Sequence, residues 1–466
     1  APVHLTVSAK GYKDGDFTMI MGFPGTTTRY MTTYEIDEML DVANPNRILI
    51  RGERQKILKE DMEASDRVRI QYSDKYANSS NYWKNSIGKS KAVRKLGIRD
   101  RRQEQEAAFT RWAQADPARS EYLRALPLIA ASKEVSVPLE SDRQVLREAI
   151  VSSVEVASIA AVLSRALPDL LSAEPLAAEE TIAAVYKDYN EPTDRKVAKR
   201  MIELTMEMVS PDNMPEFITT EVEGRFGGDV QAYVDWLYDN SIYANREKLE
   251  SYLAGGGELP ADDPALTVFN TTVAKHNGLV EQLREPAMQF AEGHKLYIKG
   301  LLEMDADGKH YPDANFTIRL TYGNVKSYSP ADAVDYDYFT TLTGVMEKED
   351  ELNPTEFTVP EKLKELYIEQ DYGPYADLSG LTRKEIRNGA KGHVNTCFIS
   401  TNDITGGNSG SPVLNDRGQL IGLAFDGNWD AMSGDVLFEP ELQRCINVDV
   451  RYVLFVIDKF AGAGHL

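Results

Sequence analysis

Within residues 405–430, TGGNSGSPVLNDRGQLIGLAFDGNWD, the run Gly407-Asn408-Ser409-Gly410-Ser411-Pro412 has the residue types that acyl transfer needs. A serine hydroxyl attacks a carbonyl only when a base takes its proton and fixed donors hold the resulting oxyanion. The residues around Ser409 suit the second task. Gly407 can adopt the backbone conformation that turns its own N–H and that of Ser409 toward one point, forming an oxyanion hole. Gly410 and Ser411 keep the far side small, so a carbonyl can approach. Pro412 leads into a hairpin of PVLN, the turn DRG and QLIGLAF. Its second strand ends Phe425-Asp426-Gly427-Asn428-Trp429.

No base accompanies this serine. His4 stands at the very start, and His276, His294 and His310 fall in or beside a helical region. His393 precedes VNTCF, and His465 is in the tail. None has the small-residue, strand-end context of a catalytic base, and each reads as a surface or core histidine.

The elements that must position the serine follow from the patterning. Residues 1 to about 30 read as β structure, with HLTVSAKG as one strand, YKDGD as a turn and FTMIMGFPG as a second strand ending in a Pro-Gly turn. From about Thr33 to Tyr311 the chain is rich in Ala, Leu, Glu, Lys and Arg at helical spacing. One such stretch, SDRQVLREAIVSSVEVASIAAVLSRAL, begins with a Ser-Asp cap. Alternation returns in FTIRLTYGNVKSY, HVNTCFIST, GSPVLN, QLIGLAFDG and RCINVDVRYVLFVID. That order predicts an α+β multidomain protein, a β domain interrupted by a large all-helical insertion.

Composition narrows the class. A length of 466 residues, 42% hydrophobic and 27% charged, fits two or three globular domains. The net charge of -21 argues against a nucleic-acid partner. No apolar run approaches the ~20 residues of a membrane helix. Two cysteines, Cys397 and Cys445, exclude a disulfide framework and a Cys-based zinc site; they are either a pair across neighbouring strands or two free thiols. DADGKHYPDANF, residues 305–316, has Phe316 where a calcium loop needs a bidentate Glu, and reads as a turn. No metal cluster, phosphate loop or dinucleotide motif is present, so no cofactor is expected.

The run STNDITGGNSGSPVLNDRGQLIGLAFDGNWDAMSGD, with INVDVRYVLFVIDK after it and SSNYWKNSIG before it, resembles the bacterial dipeptidyl-peptidase 7 and 11 family. The resemblance implies a chymotrypsin-like serine exopeptidase with two β-barrels, a helical cap and no cofactor. It implies release of N-terminal dipeptides from oligopeptides with a free amino end, a periplasmic or cell-surface location and a homodimer. On that basis residues 1–30 would end the first barrel, 31–312 would be the helical domain and 313–466 the second barrel. Ser409 resembles the nucleophile and Asp426 the carboxylate that binds the substrate's α-ammonium, on a strand whose Phe425 and Gly427 line the substrate. An asparagine of SSNYWKN, Asn81 rather than Asn85, resembles the second amine ligand. Acid-selective members resemble this sequence but carry arginine where Gly427 stands, so the glycine implies a preference for apolar or bulky side chains, as in dipeptidyl-peptidase 7. In the family the histidine and aspartate precede APVHLTVSAKG; the implied reading is a C-terminal portion, inactive without that N-terminal segment. A catalytically inactive peptide-binding homologue and an endopeptidase of the same fold are the alternative functions.

Overall fold

The computed structural model describes residues 4–256, 258–353 and 357–466. The chain divides into two compact units. One comprises residues up to Met31, Lys91–Ile98 and Lys309–Leu466; the other comprises Thr32–Ser90 and Arg99–Gly308.

The first unit is built on an antiparallel sheet. Its strands are β1 (Phe17–Gly22), β2 (Arg319–Asn324), β5 (Phe339–Thr341), β6 (Asn395–Ser400), β7 (Pro412–Leu414), β8 (Leu420–Gly427) and β9 (Cys445–Asp449). Two further strands, β3 (Tyr328–Ala331) and β4 (Val334–Tyr336), form a separate hairpin. The sheet order is β2-β1-β7-β8-β9-β6-β5. Beyond β2, Val325 bridges Ser400, Thr401 N donates to Asn324 O and Lys326 N donates to Ile399 O. Main-chain bonding thus runs from β2 around to β6 and closes a ring of six strands. The ring is filled by Tyr12, Ile20, Val325, Phe398, Val413, Ile421, Ala424 and Cys445, all buried.

Three expectations for this unit change. HLTVSAKG forms no strand, only a parallel bridge from Val7 to Leu420. Residues 17–22 do not stand apart in another barrel: β1 lies between β2 and β7, paired Met21↔Leu320 on one side and Ile20↔Val413 on the other. RCINVDVRYVLFVID is a strand only to Asp449. There the Asp449 side chain accepts from Arg451 N and starts the helix Val450–Phe455, overriding the β-branched composition.

The cysteines sit on adjacent strands, yet the register pairs Cys397 with Val448 and Ser400 with Cys445. A three-residue offset, about 10 Å along a strand, is too far for a disulfide. Both thiols are free, and burial raises the pKa of each.

The second unit is helical, from Thr33–Glu38 to Arg284–Met304. Local signals set several helix starts. Asn190 accepts from Thr193 N, Asp229 from Ala232 N, and Asp263 from Ala265 N and Leu266 N. In Glu191–Met208 the residues Val197, Ala198, Met201, Ile202, Leu204 and Thr205 are buried, the spacing of one helix face. The apolar ones among them join a contiguous core that runs from Ile50 to Leu279. The Ser-Asp cap expected at 141–142 is absent. Both residues lie inside the helix Ala125–Val145, and the buried Asp142 instead accepts from Ser210 N and Asn213 Nδ2. Among the described residues no single helix is long and apolar enough to cross a membrane.

Candidate active site

Ser409 lies in the turn between Thr405 and β7, and the turn is held from both sides. Gly410 N donates to Ala424 O at 2.7 Å and Ala424 N returns a bond to Ser411 O at 2.9 Å, fixing the turn to β8. The turn after β1, Gly22-Phe23-Pro24-Gly25, supports the other side: Gly25 N donates to Gly406 O at 2.6 Å. Close approach makes glycine necessary here. A Cβ on Gly22 would stand 2.3 Å from Ser411 Oγ, and one on Gly407 would stand 2.5 Å from Phe23 O. Gly407 also has φ +102°, a conformation that side chains resist.

The result is an exposed hydroxyl with unspent donors around it. Ser409 Oγ donates to Phe425 O at 3.2 Å. The N–H groups of Gly407 and Ser409 have no acceptor among the described residues. Both residues are exposed, while the intervening Asn408 is buried and its Nδ2 donates to Thr405 O. Two free N–H groups beside a serine hydroxyl can hold an oxyanion.

The strand β8 brings Asp426 alongside. Its register with β9 passes from Ala424↔Asn447 to Asp426↔Ile446, so Phe425 is the extra residue of a bulge. Regular alternation would send either Phe425 or Asp426 inward; the bulge leaves both exposed. Gly427 N donates to Asp426 Oδ1 at 2.8 Å, and Asp426 Oδ2 makes no hydrogen bond among the described residues. Beyond Gly427 the chain is fixed by Asn428. Its Oδ1 accepts from Ala431 N and Arg444 N, and its Nδ2 donates to Leu442 O. Arg444 is fully buried, and its guanidinium donates to the carbonyls of Lys326, Ser327, Pro440, Glu441 and Gln443. Burial lowers its pKa.

Of the residues singled out in the sequence, Ser409, Gly407, Phe425, Asp426 and Gly427 therefore converge on one face of the sheet unit. Asn81 does not join them within that unit. It is exposed in the middle of the helix Asp66–Lys95, not at a cap, and belongs to the helical unit; Asn85, one turn on, is half-buried. An open groove of about 750 Å³ in the helical unit, lined by Tyr34, Asp37, Glu38, Asp41, Pro127 and Lys133 among others, contains none of the predicted site residues.

No described histidine hydrogen-bonds to Ser409. His393 stacks on Phe339 at 5.8 Å and His294 on Phe290 at 5.1 Å, while His276 is half-buried and His4, His310 and His465 are exposed. Among the described residues no group of three or more His, Cys, Asp or Glu is arranged to hold a metal. In DADGKHYPDANF, Asp313 accepts from Thr27 Oγ1 and Arg29 N, tying that turn to the chain after β1.

Sequence reasoning missed the residues behind the site: Asn428, Arg444 and the set Arg29, Asp403, Thr405 and Asp435. Asn428 carried a readable signal, an Asn immediately before the short helix Trp429–Ser433 that it caps. The others carried none, because their partners are far off in sequence.

The whole chain, residues 1–466, matches the peptidase S46 family. It is 45% identical to a dipeptidyl-peptidase 7 of Phocaeicola vulgatus over 100% of its own length and 64% of that protein's. It is 37% identical to an Asp/Glu-specific dipeptidyl-peptidase of Porphyromonas gingivalis, over 99% of this chain and 63% of that one. The crystal structure of Porphyromonas endodontalis DPP11 in complex with the dipeptide Arg-Glu superposes with a TM-score of 0.87 at 33% identity, covering 99% of this chain and 65% of that one. The chain thus spans a little under two thirds of the length of these relatives. With the serine turn and the bulged strand both inside the matched region, the chain belongs to the peptidase S46 family.

Proposed function

We propose that this chain carries the nucleophile and the amine-binding carboxylate of a serine dipeptidyl-peptidase, and that its six-stranded ring is the second barrel of a chymotrypsin-like pair. The observation that carries this reading is the pair of unspent N–H groups, Gly407 and Ser409, beside an exposed Ser409 hydroxyl.

In this mechanism the Ser409 hydroxyl attacks the scissile carbonyl while a base takes its proton. The carbonyl oxygen becomes an oxyanion held by the two N–H groups. The hydroxyl now bonded to Phe425 O turns to the base, which no described histidine supplies by a hydrogen bond to Ser409; on the family resemblance the base comes from the part of the relatives that precedes the matched region. Water then hydrolyses the acyl-enzyme by the same route in reverse. Asp426 pairs with the substrate's α-ammonium. A charge-assisted bond at that fixed place measures out two residues from the free end and rejects internal peptide segments. The missing side chain at Gly427 leaves room for apolar or bulky groups next to the scissile bond.

The relatives' names support release of dipeptides. A homodimer and a periplasmic or cell-surface location are proposals that rest on the family resemblance. A peptide-binding homologue without activity is disfavoured, because the turn keeps its hydroxyl exposed and both donors open. An endopeptidase is disfavoured by the exposed Asp426.

The test compares one chromogenic dipeptide with a free and with an acetylated amino end, using the full-length enzyme. Cleavage of the free form alone, lost in Ser409→Ala, supports the proposal. Equal cleavage of the acetylated form overturns the exopeptidase reading.

A further inference from the structure

Behind the nucleophile turn a polar cluster joins three parts of the chain that the mechanism above does not use. Arg29 follows β1. Its guanidinium holds both carboxylate oxygens of Asp403, Nη2 to Oδ1 at 2.7 Å and Nη1 to Oδ2 at 2.6 Å. Its Nε donates to Gly434 O at 3.1 Å. One residue earlier, Thr28 N donates to Asp435 O at 2.7 Å, and Asp435 Oδ1 accepts from Thr405 Oγ1 at 2.6 Å. The cluster therefore ties the stretch leading into Ser409, residues 403–405, to the stretch beyond β8, residues 434–435.

The second stretch also lies close to Gly427 through Ala431. A Cβ on Gly427 would stand 2.9 Å from Ala431 Cβ, and one on Gly434 would stand 3.0 Å from Ala431 O. The wall beside Gly427 thus passes through Ala431 to Gly434, and through Arg29 to Asp403. A continuous run of contacts leads from Gly427 to the Arg29–Asp403 pair. Asp403 stands six residues before Ser409, the spacing at which trypsin carries the aspartate that sets its side-chain specificity. The side chains of Arg29 and Asp403 are 28% and 29% exposed, which suits a pocket floor better than a core ion pair.

We propose that Asp403 forms the base of the pocket for the residue next to the scissile bond, and that Arg29 neutralises it. The pair makes the pocket indifferent to charge and open to apolar side chains. This inference rests on the serine dipeptidyl-peptidase reading above. A bidentate Arg–carboxylate pair has no net charge, but each half alone attracts its opposite. The two single substitutions should therefore push specificity in opposite directions. Arg29→Met leaves a carboxylate that attracts Lys or Arg. Asp403→Asn leaves a guanidinium without this carboxylate, which attracts Asp or Glu. The double variant removes both charges.

The experiment measures kcat/KM of the full-length enzyme and its variants on free-amine chromogenic dipeptides with Leu, Lys or Glu next to the scissile bond, with Tm recorded alongside. The Lys/Leu ratio should rise roughly tenfold or more in Arg29→Met, and the Glu/Leu ratio should rise comparably in Asp403→Asn. Both ratios should return toward the parent values in the double variant. A loss of packing alone would lower all three substrates together. If Arg29→Met does not fold, the near-isosteric Asp403→Asn tests the other half by itself. Ratios that stay within about twofold of the parent in the folded single variants overturn the inference. Full activity in Ser409→Ala would instead overturn the serine reading, and this inference with it.

Discussion

The helical unit contains a large contiguous core. Forty-two buried residues from Ile50 to Leu279 pack together there, whereas the sheet unit has smaller clusters, eight residues inside the strand ring and seven around Leu342, Leu363 and Phe455. The sheet unit compensates with directional ties. Arg444 holds five carbonyls, Asn428 makes three hydrogen bonds with main-chain groups, Arg29 bridges Asp403 to Gly434, and glycines at 22 and 407 allow backbone and side chains to approach closely. Packing tolerates small errors in position because it is spread over many contacts, whereas a hydrogen-bonded turn fixes one atom relative to another. The unit that carries Ser409 is built in the second way. Substitutions in the two units should therefore separate activity from stability.

The largest effect is expected at the hydroxyl. Ser409→Ala should lower kcat/KM of the full-length enzyme by about 10⁴-fold or more with Tm unchanged; a residual rate near the parent's would remove Ser409 from the mechanism. Gly407→Ala comes next. Its new methyl meets Phe23 O and resists φ +102°, so the turn must shift and one of the proposed oxyanion donors moves off line. A loss of about 10²–10³-fold in kcat is expected, far larger than the accompanying change in KM.

In the helical unit the pattern should reverse. Leu163 is fully buried, and Leu163→Ala should cost about 2–5 kcal/mol in denaturant unfolding while activity per folded molecule stays the same. Asp426→Asn should raise KM for free-amine dipeptides roughly 10–100-fold, the worth of a charge-assisted bond, with little effect on Tm.

The smallest effect concerns pH. Burial pushes the Asp377 carboxyl up, but hydrogen bonds from Ser379 and the Arg451 guanidinium outweigh it and hold the pKa at about 2. A folded pKa below the usual ~3.9 means that its contribution is present above about pH 4 and is lost as pH falls toward 2. Asp377→Asn should flatten that part of the acid-unfolding curve. An unchanged slope would show that other carboxylates govern it.

What could be read from the sequence follows the same division. The turn that carries Ser409 was legible because its residues are consecutive, and β8 because its length and alternation are local. The helical unit was legible from spacing, although the Ser-Asp pair at 141–142 misled: Asp142 serves residues 210 and 213, which no local rule anticipates. The strand expected through Val450–Asp458 failed because a single cap at Asp449 outweighed a β-branched run. The placement of β1 beside β7 joins residues nearly 400 positions apart, and Phe425 and Asp426 are both exposed only because of a bulge against β9. Those features depend on strand register, which one sequence does not reveal.

The most direct test is mass spectrometry of the full-length enzyme after treatment with an organophosphate. A single adduct on Ser409 is expected, slowed by a free-amine dipeptide and not by its acetylated form. An inactivated enzyme that bears its adduct on another residue would contradict it.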